Sequence, residues 1–577
     1  MKRELIALFL AVIMVIGLVP VTVFAEGQFT DMPENWSTEA LESAVENGLL
    51  QGSNEKIMPN DHLTRAQMAT IINRSFGSSV AASLEGYSDV AQDSWYYNEM
   101  SKAVQMKTFQ GSGGKLNPDN QITREEAFAV LSRAFKLGSS NTAPAGFNDL
   151  GEISDWAKGE VYSLIKAGYI QGSNGLINPK NKITRAEFAQ VMYNIVKTYA
   201  NQPGEYTSLP EGNVMINVAD VTLKDVNLDG DLIIGDGVGD GNVTLDNVQI
   251  AGRLVVRGGG TESIIIKGNS NIGRLIIAKV DGSVRVFTED GTIVETIEVV
   301  DGKNEVIIEG NLEELVVRSE TPVLLINADV KNVVVEAGNS TLTVDEGSKV
   351  ESVVVKGAAT TIEGKGTVEE VIVESTSEDT KITTPNTEII VEKGAKAVTG
   401  TGGVAIPDGA KAQNADAANK KATVEEKKVE QPKSSGGGGG GGGGGSPTPK
   451  EAKATFLSSL GKKLNNISDD KVIAKLDGEN IRVTFDKENT LPSEVLKTAE
   501  GIVTAFKSNL VEGTLNENFP LTPETTATEV ARYLLGGDEK VANFLSEGGS
   551  VKADYTAKIK ENNVEFDLSG SIKFINK

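Results

Sequence analysis

Arginine and tryptophan recur together three times in the first third of the chain. Each copy carries an aspartate and a tryptophan, then a Gln-Gly-Ser triplet, then a Thr-Arg pair, with 29 residues from tryptophan to arginine and 13 from glycine to arginine. A guanidinium can bind a carboxylate through two parallel hydrogen bonds, and an indole offers a flat apolar platform with one N–H donor. The candidate binding residues are Asp31, Trp36, Gly52, Ser53 and Arg65 in the first copy, Asp89, Trp95, Gly111, Ser112 and Arg124 in the second, and Asp149, Trp156, Gly172, Ser173 and Arg185 in the third.

Two helices joined by a loop must position these residues in each copy. Apolar residues recur at helical spacing before the Gln-Gly-Ser triplet and after the Thr-Arg pair. Gly52 and its counterparts are expected to end the first helix, because glycine tolerates the left-handed conformation. A threonine N-cap begins the second helix and forms a capping box with the third residue after it; the pairs are Thr64–Gln67, Thr123–Glu126 and Thr184–Glu187. In the alternative interpretation the tryptophans are core residues, the arginines cap helices and the aspartates are only N-caps.

Together these motifs resemble the S-layer homology domain, in three tandem copies at residues 26–84, 85–144 and 145–204. The resemblance implies three modules around a pseudo-threefold axis, with grooves that bind a secondary cell-wall polysaccharide, often through a pyruvylated sugar. It assigns the arginines to the grooves, the tryptophans and aspartates to lining or bracing them, and the Gly-Ser pairs to backbone and hydroxyl contacts. A pyruvate ketal is a carboxylate, which suits a guanidinium. The sequence departs from the family pattern at Gln67 and at Glu125, and either change could weaken one groove.

The N-terminus predicts export. A basic start, Met1–Arg3, precedes an apolar run over Leu5–Val19, and small residues lead to a cleavage site after Ala25, so residues 1–25 are predicted to be a signal peptide. An N-terminal anchor is the alternative, but the run is shorter than the roughly 20 residues that a membrane span needs. The mature protein is therefore expected to be secreted, free of the membrane, and held at the wall or S-layer of a Gram-positive envelope, where the resemblance adds other S-layer subunits as partners.

Composition excludes several classes of function. The net charge of −24 argues against a nucleic-acid partner, because phosphate backbones favour proteins rich in lysine and arginine. There are no cysteines, so an exported chain of this kind must be stabilised by burial or by repetition. The single histidine, His62, leaves almost no histidine-based catalytic scheme.

A second family of repeats occupies residues 205–400 and predicts an all-β β-solenoid. Apolar triplets from Leu232–Ile234 to Ile389–Val391 recur at intervals of 18 to 22 residues, with further β-rich pieces between them and Gly, Asn and Asp at the joins. Stacking such coils buries a continuous apolar strip that one coil cannot bury alone. Leucine-rich repeats are one alternative, but the sequence lacks their Leu-x-x-Leu-x-Leu consensus. A β-sandwich is the other, but it does not account for the fixed spacing of the triplets.

The rest of the chain is predicted to be a linker and a separate domain. Residues 401–450 are rich in Ala, Lys and Glu and contain ten consecutive glycines over 436–445, which is typical of a linker. Residues 451–577 are predicted to form a small α+β domain with an amphipathic helix over 495–506 and a C-terminal β-hairpin that turns at Asn562-Asn563. The fold class is thus multidomain: an α-helical triplicated module, a β-solenoid and a small α+β domain.

No catalytic residue, metal site or cofactor is predicted, and the chain is not expected to be an enzyme. Phe287 is the only aromatic residue between Met215 and Lys450, a stretch without histidine, whereas sugar-cleaving clefts carry aromatic platforms beside their carboxylates. The alternative is a wall-anchored polysaccharide-degrading enzyme or an adhesin acting through the solenoid or the C-terminal domain. An acidic, glycine-rich patch over 229–240 could hold calcium, although turn chemistry accounts for the same residues.

Overall fold

The computed structural model describes residues 29–425 continuously. In the C-terminal region it describes positions 453, 460, 472–477, 480–485, 502, 510–515, 519–521, 549–561 and 564–576. The predicted signal peptide, residues 426–450 of the predicted linker, and the 495–506 helix apart from Ile502 lie outside the described residues. The chain divides into two compact units, Met1–Val429 and Glu430–Lys577.

Two α-helices form each of the three N-terminal copies. They are α1 (Thr38–Glu46), α2 (Arg65–Phe76), α3 (Tyr97–Gln105), α4 (Arg124–Ala134), α5 (Asp155–Lys166) and α6 (Arg185–Ile195), with a 3-10 turn at Leu150–Glu152 before α5. All three predicted capping boxes are formed at the starts of α2, α4 and α6. The prediction that Gly52, Gly111 and Gly172 end the first helices is wrong, because α1, α3 and α5 end at Glu46, Gln105 and Lys166. After α1 the left-handed residue is Gly48, with φ 69°.

Backbone hydrogen bonds close the three copies into a ring. The amide of Ile122 donates to the carbonyl of Leu63 at 3.0 Å, that of Ile183 to Ile122 at 3.1 Å, and that of Leu63 to Ile183 at 3.1 Å. All three side chains are fully buried at the centre of the helical core. The same segment of each copy therefore pairs with the next copy, which is the pseudo-threefold arrangement that the resemblance implies.

The solenoid consists of two stacks of short strands that run in parallel over about ten turns. The larger stack has 14 strands: Thr198–Ala200, Val214–Ile216, Asn227–Leu228, Leu232–Ile234, Gln249–Val256, Asn271–Ala278, Ile293–Asp301, Leu312–Val317, Asp329–Val335, Lys349–Val355, Thr367–Val373, Glu388–Val391, Lys411–Gln413 and Thr423–Val424. The other has 12: Gly204–Tyr206, Val221–Lys224, Val243–Asp246, Ile265–Lys267, Val284–Thr288, Val306–Glu309, Val323–Ile326, Thr341–Val344, Thr361–Gly364, Lys381–Ile382, Val398–Thr399 and Ala405–Ile406. Single 3-10 turns lie at Asp236–Val238 and Thr401–Gly403.

The apolar triplets stack in register, which confirms the predicted solenoid. Their first residues form one continuous column: Leu232, Leu254, Leu275, Ile297, Leu315, Val333, Val353, Val371 and Ile389. Each of these side chains is fully buried within a single hydrophobic cluster that runs the length of the stack. Each coil therefore takes its core from the coils above and below it.

The boundaries of the solenoid differ from the predicted ones at both ends. Thr198–Ala200, predicted within the third helical copy, pairs in parallel with Val214–Ile216 as the first strand of the larger stack. At the far end the strands Ala405–Ile406, Lys411–Gln413 and Thr423–Val424 belong to the predicted linker, yet they pair antiparallel with the last coil and with each other. These strands cover an edge whose backbone N–H and C=O groups would otherwise be unpaired.

The helical ring packs against the flank of the first solenoid coils. Met215, Ile233 and Val255 point out of the solenoid and are fully buried in the hydrophobic core of the helices. The buried Arg257 pairs with Asp236 at 2.7 Å and lies 5.0 Å from the ring of Phe76. The ring and the solenoid therefore share a core.

The C-terminal unit contains a six-stranded sheet. In spatial order the strands are Val472–Asp477, Asn480–Phe485, Val564–Asn576, Gly549–Glu561, Leu510–Leu515 and Phe519–Leu521. The long strands Gly549–Glu561 and Val564–Asn576 are antiparallel, and Glu561 is paired with Val564. This register confirms the predicted hairpin pairing of the two strands, whereas the predicted turn residues Asn562 and Asn563 lie outside the described residues.

Candidate binding grooves

The three arginines occupy equivalent positions between neighbouring copies. Each starts the second helix of its own copy and donates from Nε to a loop carbonyl of the next copy: Arg65 to Leu116 at 2.8 Å, Arg124 to Ile177 at 2.6 Å and Arg185 to Ile57 at 2.8 Å. The Nη2 groups of Arg65 and Arg185 reach the carbonyls of Gln110 and Gln51, at 3.3 and 2.9 Å. One edge of each guanidinium is thus fixed to the loop that carries the Gln-Gly-Ser triplet.

The carboxylates beside the arginines differ between copies. Glu126 lies 3.4 Å from Arg65, and Glu187 lies 2.8 Å from Arg124. The equivalent residue facing Arg185 is the neutral Gln67, and within the described residues no carboxylate lies within ion-pairing distance of Arg185. Burial lowers the pKa of all three guanidinium groups, yet an arginine starts so far above neutral pH that each remains charged. Dehydration of a cation that stays charged favours an anionic ligand.

The aspartates brace the loops of their own copies through their carboxylates. Asp31 accepts hydrogen bonds from the amides of Ile57 and Met58 at 2.7 and 2.9 Å. Asp89 makes the same contacts with the loop of the second copy, and Asp149 with that of the third. The residue at the end of each braced segment, Met58 in the first copy, has a positive φ near 50°, so the carboxylate holds a strained loop in place.

The tryptophans are exposed and are not core residues. Trp36, Trp95 and Trp156 are 62, 62 and 54% exposed, the highest values among the large hydrophobic side chains of the described region. A large apolar side chain left in solvent at three equivalent positions is characteristic of a binding surface. The indoles are therefore available as platforms.

Two grooves bring together residues from all three copies. Groove A, of about 780 Å³, is lined by Arg65 of the first copy, Gln110 to Ser112 of the second and Trp156 of the third. Groove B, of about 600 Å³, is lined by Arg124, by Gln171 to Ser173 and by Trp36. In both grooves the tryptophan and the arginine thus come from different copies. By the same rotation Trp95 would belong with Arg185.

The glycines are required by close packing. A Cβ on Gly52 would lie 2.1 Å from the ring of Phe29, and one on Gly111 would lie 2.5 Å from that of Tyr87. Gly172 is equally close to Phe147. The following serines, Ser53, Ser112 and Ser173, begin tight turns through their backbone amides and have exposed side chains. Of these, Ser112 and Ser173 line grooves A and B.

Several lining residues were not predicted. Groove A also contains Lys115, Arg133 and Lys182, and groove B contains Tyr169 and Asn194. Gln110 and Gln171 could have been found, because their triplet recurs in every copy. The remaining lining residues could not have been found in this way, because the residue type at each of their positions is not the same in all three copies.

The acidic patch of the solenoid is used in ion pairs. Asp231 binds Arg253 at 2.5 Å, Asp236 binds Arg257, and Asp240 binds Lys279 at 2.7 Å. Over residues 29–425 and the described C-terminal strands, no cluster of three or more acidic or histidine side chains could hold a metal ion.

The family model of the S-layer homology domain matches residues 28–69, 86–128 and 146–189. The chain is 31% identical over 196 residues to the surface-layer 125 kDa protein of Lysinibacillus sphaericus, covering 32% of this chain and 16% of that protein. It is 26% identical over 210 residues to the S-layer protein sap of Bacillus anthracis, covering 36% and 26%. A third relative is the exoglucanase XynX of Acetivibrio thermocellus, at 30% identity over 179 residues, covering 30% and 16%. The matched part of the chain spans less than a third of each of these relatives.

The matched segments contain all three sets of candidate binding residues. In the portion of the chain that the structure describes, no helix has the length and apolarity to cross a membrane. S-layer homology domains anchor proteins to the cell wall, which places the chain at the cell surface. Residues 28–69, 86–128 and 146–189 are therefore three S-layer homology domains, carried by the N-terminal third of this chain.

Proposed function

We propose that this protein is a non-catalytic surface protein, held non-covalently to a secondary cell-wall polysaccharide by the grooves between its three helical copies. The observation that carries the proposal is a geometry repeated in grooves A and B: a guanidinium fixed to the neighbouring loop, with an exposed indole of a further copy lining the same groove. The indole supplies a face for a sugar ring, and the guanidinium supplies charge and fixed donors. This pair of groups suits an acidic sugar.

A pyruvylated sugar fits the chemistry of the grooves. Its carboxylate suits the remaining N–H groups of a guanidinium whose Nε is already committed to a backbone carbonyl. At Arg65 and Arg124 it would share Nη1 with Glu126 and Glu187, which lie 3.4 and 2.8 Å away. The binding residues that we propose are Trp36, Trp95, Trp156, the three groove arginines, and the Gly-Ser pairs. We assign the aspartates an indirect part, because their carboxylates are occupied by loop amides.

We further propose that the solenoid is a spacer that displays the C-terminal domain on a Gram-positive envelope, with other S-layer subunits as neighbours. The aromatic-poor composition of the solenoid supports a structural part over a catalytic one, since Phe287 is the only aromatic residue from 215 to 450. The similarity to the exoglucanase is confined to 179 residues, about the length of the helical copies, and lends no support to catalysis in the rest of the chain.

Wall sedimentation of arginine variants tests the proposal. A hydrogen bond to a charged group contributes roughly 1.5–3 kcal/mol, so losing one arginine should weaken its own groove about 10- to 150-fold. Three grooves acting on a repetitive polymer mask a single loss, and hence R65A alone should reduce sedimentation only modestly. The triple variant R65A/R124A/R185A should remain in the supernatant. Lysine should substitute poorly, because it lacks the planar fork.

A matched control removes the same charge elsewhere. K331A/K349A/K411A takes three half-exposed lysines from the solenoid and should sediment like the unchanged protein. All variants are compared by circular dichroism, so that loss of folding is not mistaken for loss of binding. Full sedimentation of a folded triple arginine variant would mean that the arginines are structural and that the binding surface lies elsewhere.

A further inference from the structure

Grooves A and B have the same framework but different charge. Groove A is lined by four cationic side chains and two carboxylates, whereas groove B is lined by one of each, Arg124 and Glu187. The cations that groove A has in addition to Arg65 are Lys115, Arg133 and Lys182. Groove A therefore carries a positive charge in a protein whose net charge is −24.

Single residue differences at equivalent positions produce this contrast. Lys115 follows its loop glycine by four residues, where the third copy has Leu176. Arg133 follows the helix-starting arginine by nine residues, where the third copy has Asn194. The asymmetry thus lies in the side chains of a shared scaffold, and the two grooves can be interconverted by substitution.

Two of the extra cations are available to a ligand. Lys115 is exposed, and its ammonium has no hydrogen bond or ion pair with any described residue. Lys182 donates one hydrogen bond to the carbonyl of Gln121 at 2.6 Å, which leaves two of its N–H groups. Arg133 is partly neutralised by Glu160 at 3.2 Å. The lysines are therefore the second source of positive charge beside Arg65.

We infer that groove A binds a stretch of the wall polymer that carries two anionic groups, one at Arg65 and one at Lys115 and Lys182, while groove B accepts a single anionic group. This inference rests on the proposed function and adds that the grooves differ in the number of anionic groups that each binds. The second anion is a carboxylate or a phosphate, since a lysine ammonium binds either as a point charge.

Single-groove variants of the full-length mature protein test the inference. The probe is the non-peptidoglycan polysaccharide released from walls of the cells that display the protein. R124A/R185A leaves groove A and R65A/R185A leaves groove B, and dissociation constants are measured at low and high salt. The groove A protein should bind more tightly and should lose more affinity as salt rises, because screening acts on each exposed charge.

Substitution of the lysines should remove the difference in affinity and salt dependence between the two single-groove proteins. K115L/K182Q in the groove A protein introduces residues that other copies carry at these positions, and should weaken binding roughly 2- to 5-fold per lysine. K56L, the equivalent change in the first copy, lies outside groove A and should have no effect on this protein. K115L/K182Q is also made in the chain that keeps all three groove arginines, so that the test does not depend on the folding of an arginine variant. There the affinity for the polymer should fall less steeply with salt than in the unchanged protein.

Chemical treatment of the polysaccharide identifies the second anionic group that groove A binds. Dephosphorylation abolishes the advantage of groove A and leaves the affinity of groove B unchanged if the second anion is a phosphate. An advantage that survives dephosphorylation, and is lost together with binding at both grooves after carboxyl reduction, identifies a carboxylate. Equal affinity and equal salt dependence of the two single-groove proteins, or an advantage that survives both treatments, would overturn the inference and leave wall anchoring intact. Absence of binding by the unchanged protein would instead overturn the proposed function.

Discussion

Replacing Arg257 by methionine should destabilise the helical ring, although Arg257 belongs to the solenoid. Its side chain is 0% exposed, pairs with Asp236 at 2.7 Å and lies over Phe76, the last residue of α2. Removing one partner of a buried ion pair costs about 3–5 kcal/mol, because the other charge is left without compensation. The Nη1 group has no hydrogen-bond partner among the described residues, and losing this unsatisfied donor offsets part of the cost. We therefore expect the lower end, about 3 kcal/mol.

Tryptophan fluorescence isolates the response of the ring. All three tryptophans of the chain lie in the helical copies, so the fluorescence transition in urea reports their unfolding alone. With an m-value of about 2–3 kcal/mol/M, the expected loss lowers the midpoint by roughly 1–1.5 M. Circular dichroism, dominated by the strands, should shift as well if the ring and the solenoid unfold together.

Arg285 provides the matched control. It pairs with Glu309 at 2.6 Å and lies 4.9 Å from the ring of Phe287, but its side chain is 21% exposed and both of these partners belong to the solenoid. R285M should cost at most about 1 kcal/mol, as partly exposed pairs do, and should leave the fluorescence midpoint unchanged. If R257M behaves like R285M in this assay, the shared core does not stabilise the ring.

Three further outcomes follow from the geometry. Burial lowers the pKa of Lys136 to about 8, against an unfolded value near 10.4. Between these pH values the unfolded chain binds more protons than the folded chain, so the free energy of unfolding should rise with pH. In urea titrations at several pH values, K136M should lose this part of the rise. D89A leaves two loop amides without an acceptor and should cost about 1–3 kcal/mol while weakening groove A in binding assays, whereas D93A at an exposed site should change neither. G111A forces a Cβ against an aromatic ring and a carbonyl and should lower thermal stability by about 1–3 kcal/mol, whereas G86A, where a Cβ meets open space, should not.

The solenoid could be predicted from the sequence because its period is a local signal. A triplet such as Leu254-Val255-Val256 buries its first and last residues in every coil, and the spacing of successive triplets sets the register. The middle residue points outward. In the early coils the helices bury it completely, as at Val255, whereas in later coils such as Val334 it is only half-buried. The same residue type thus stands in two environments, and the sequence does not reveal where the helices pack.

The sequence indicated residues that line the grooves, but not which copies contribute residues to the same groove. Equivalent spacing pointed to Arg65 and Arg124, which line grooves A and B, but it did not indicate which tryptophan shares a groove with which arginine. The ring closure instead places Trp156 with Arg65 and Trp36 with Arg124. Gly52 was misassigned because a glycine after a helix resembles a terminator, and only the packed structure shows the ring of Phe29 that excludes a side chain there.

Closure of the ring gives the two repeat families different evolutionary freedom. A gene duplication that adds one coil lengthens a linear stack and leaves each interface unchanged in kind. In the ring, the amide of Leu63 reaches the carbonyl of Ile183, so the first and last copies are neighbours. Deleting or inserting one copy breaks that junction and leaves two open surfaces. Unequal recombination should therefore produce descendants of varied solenoid length, all retaining three helical copies.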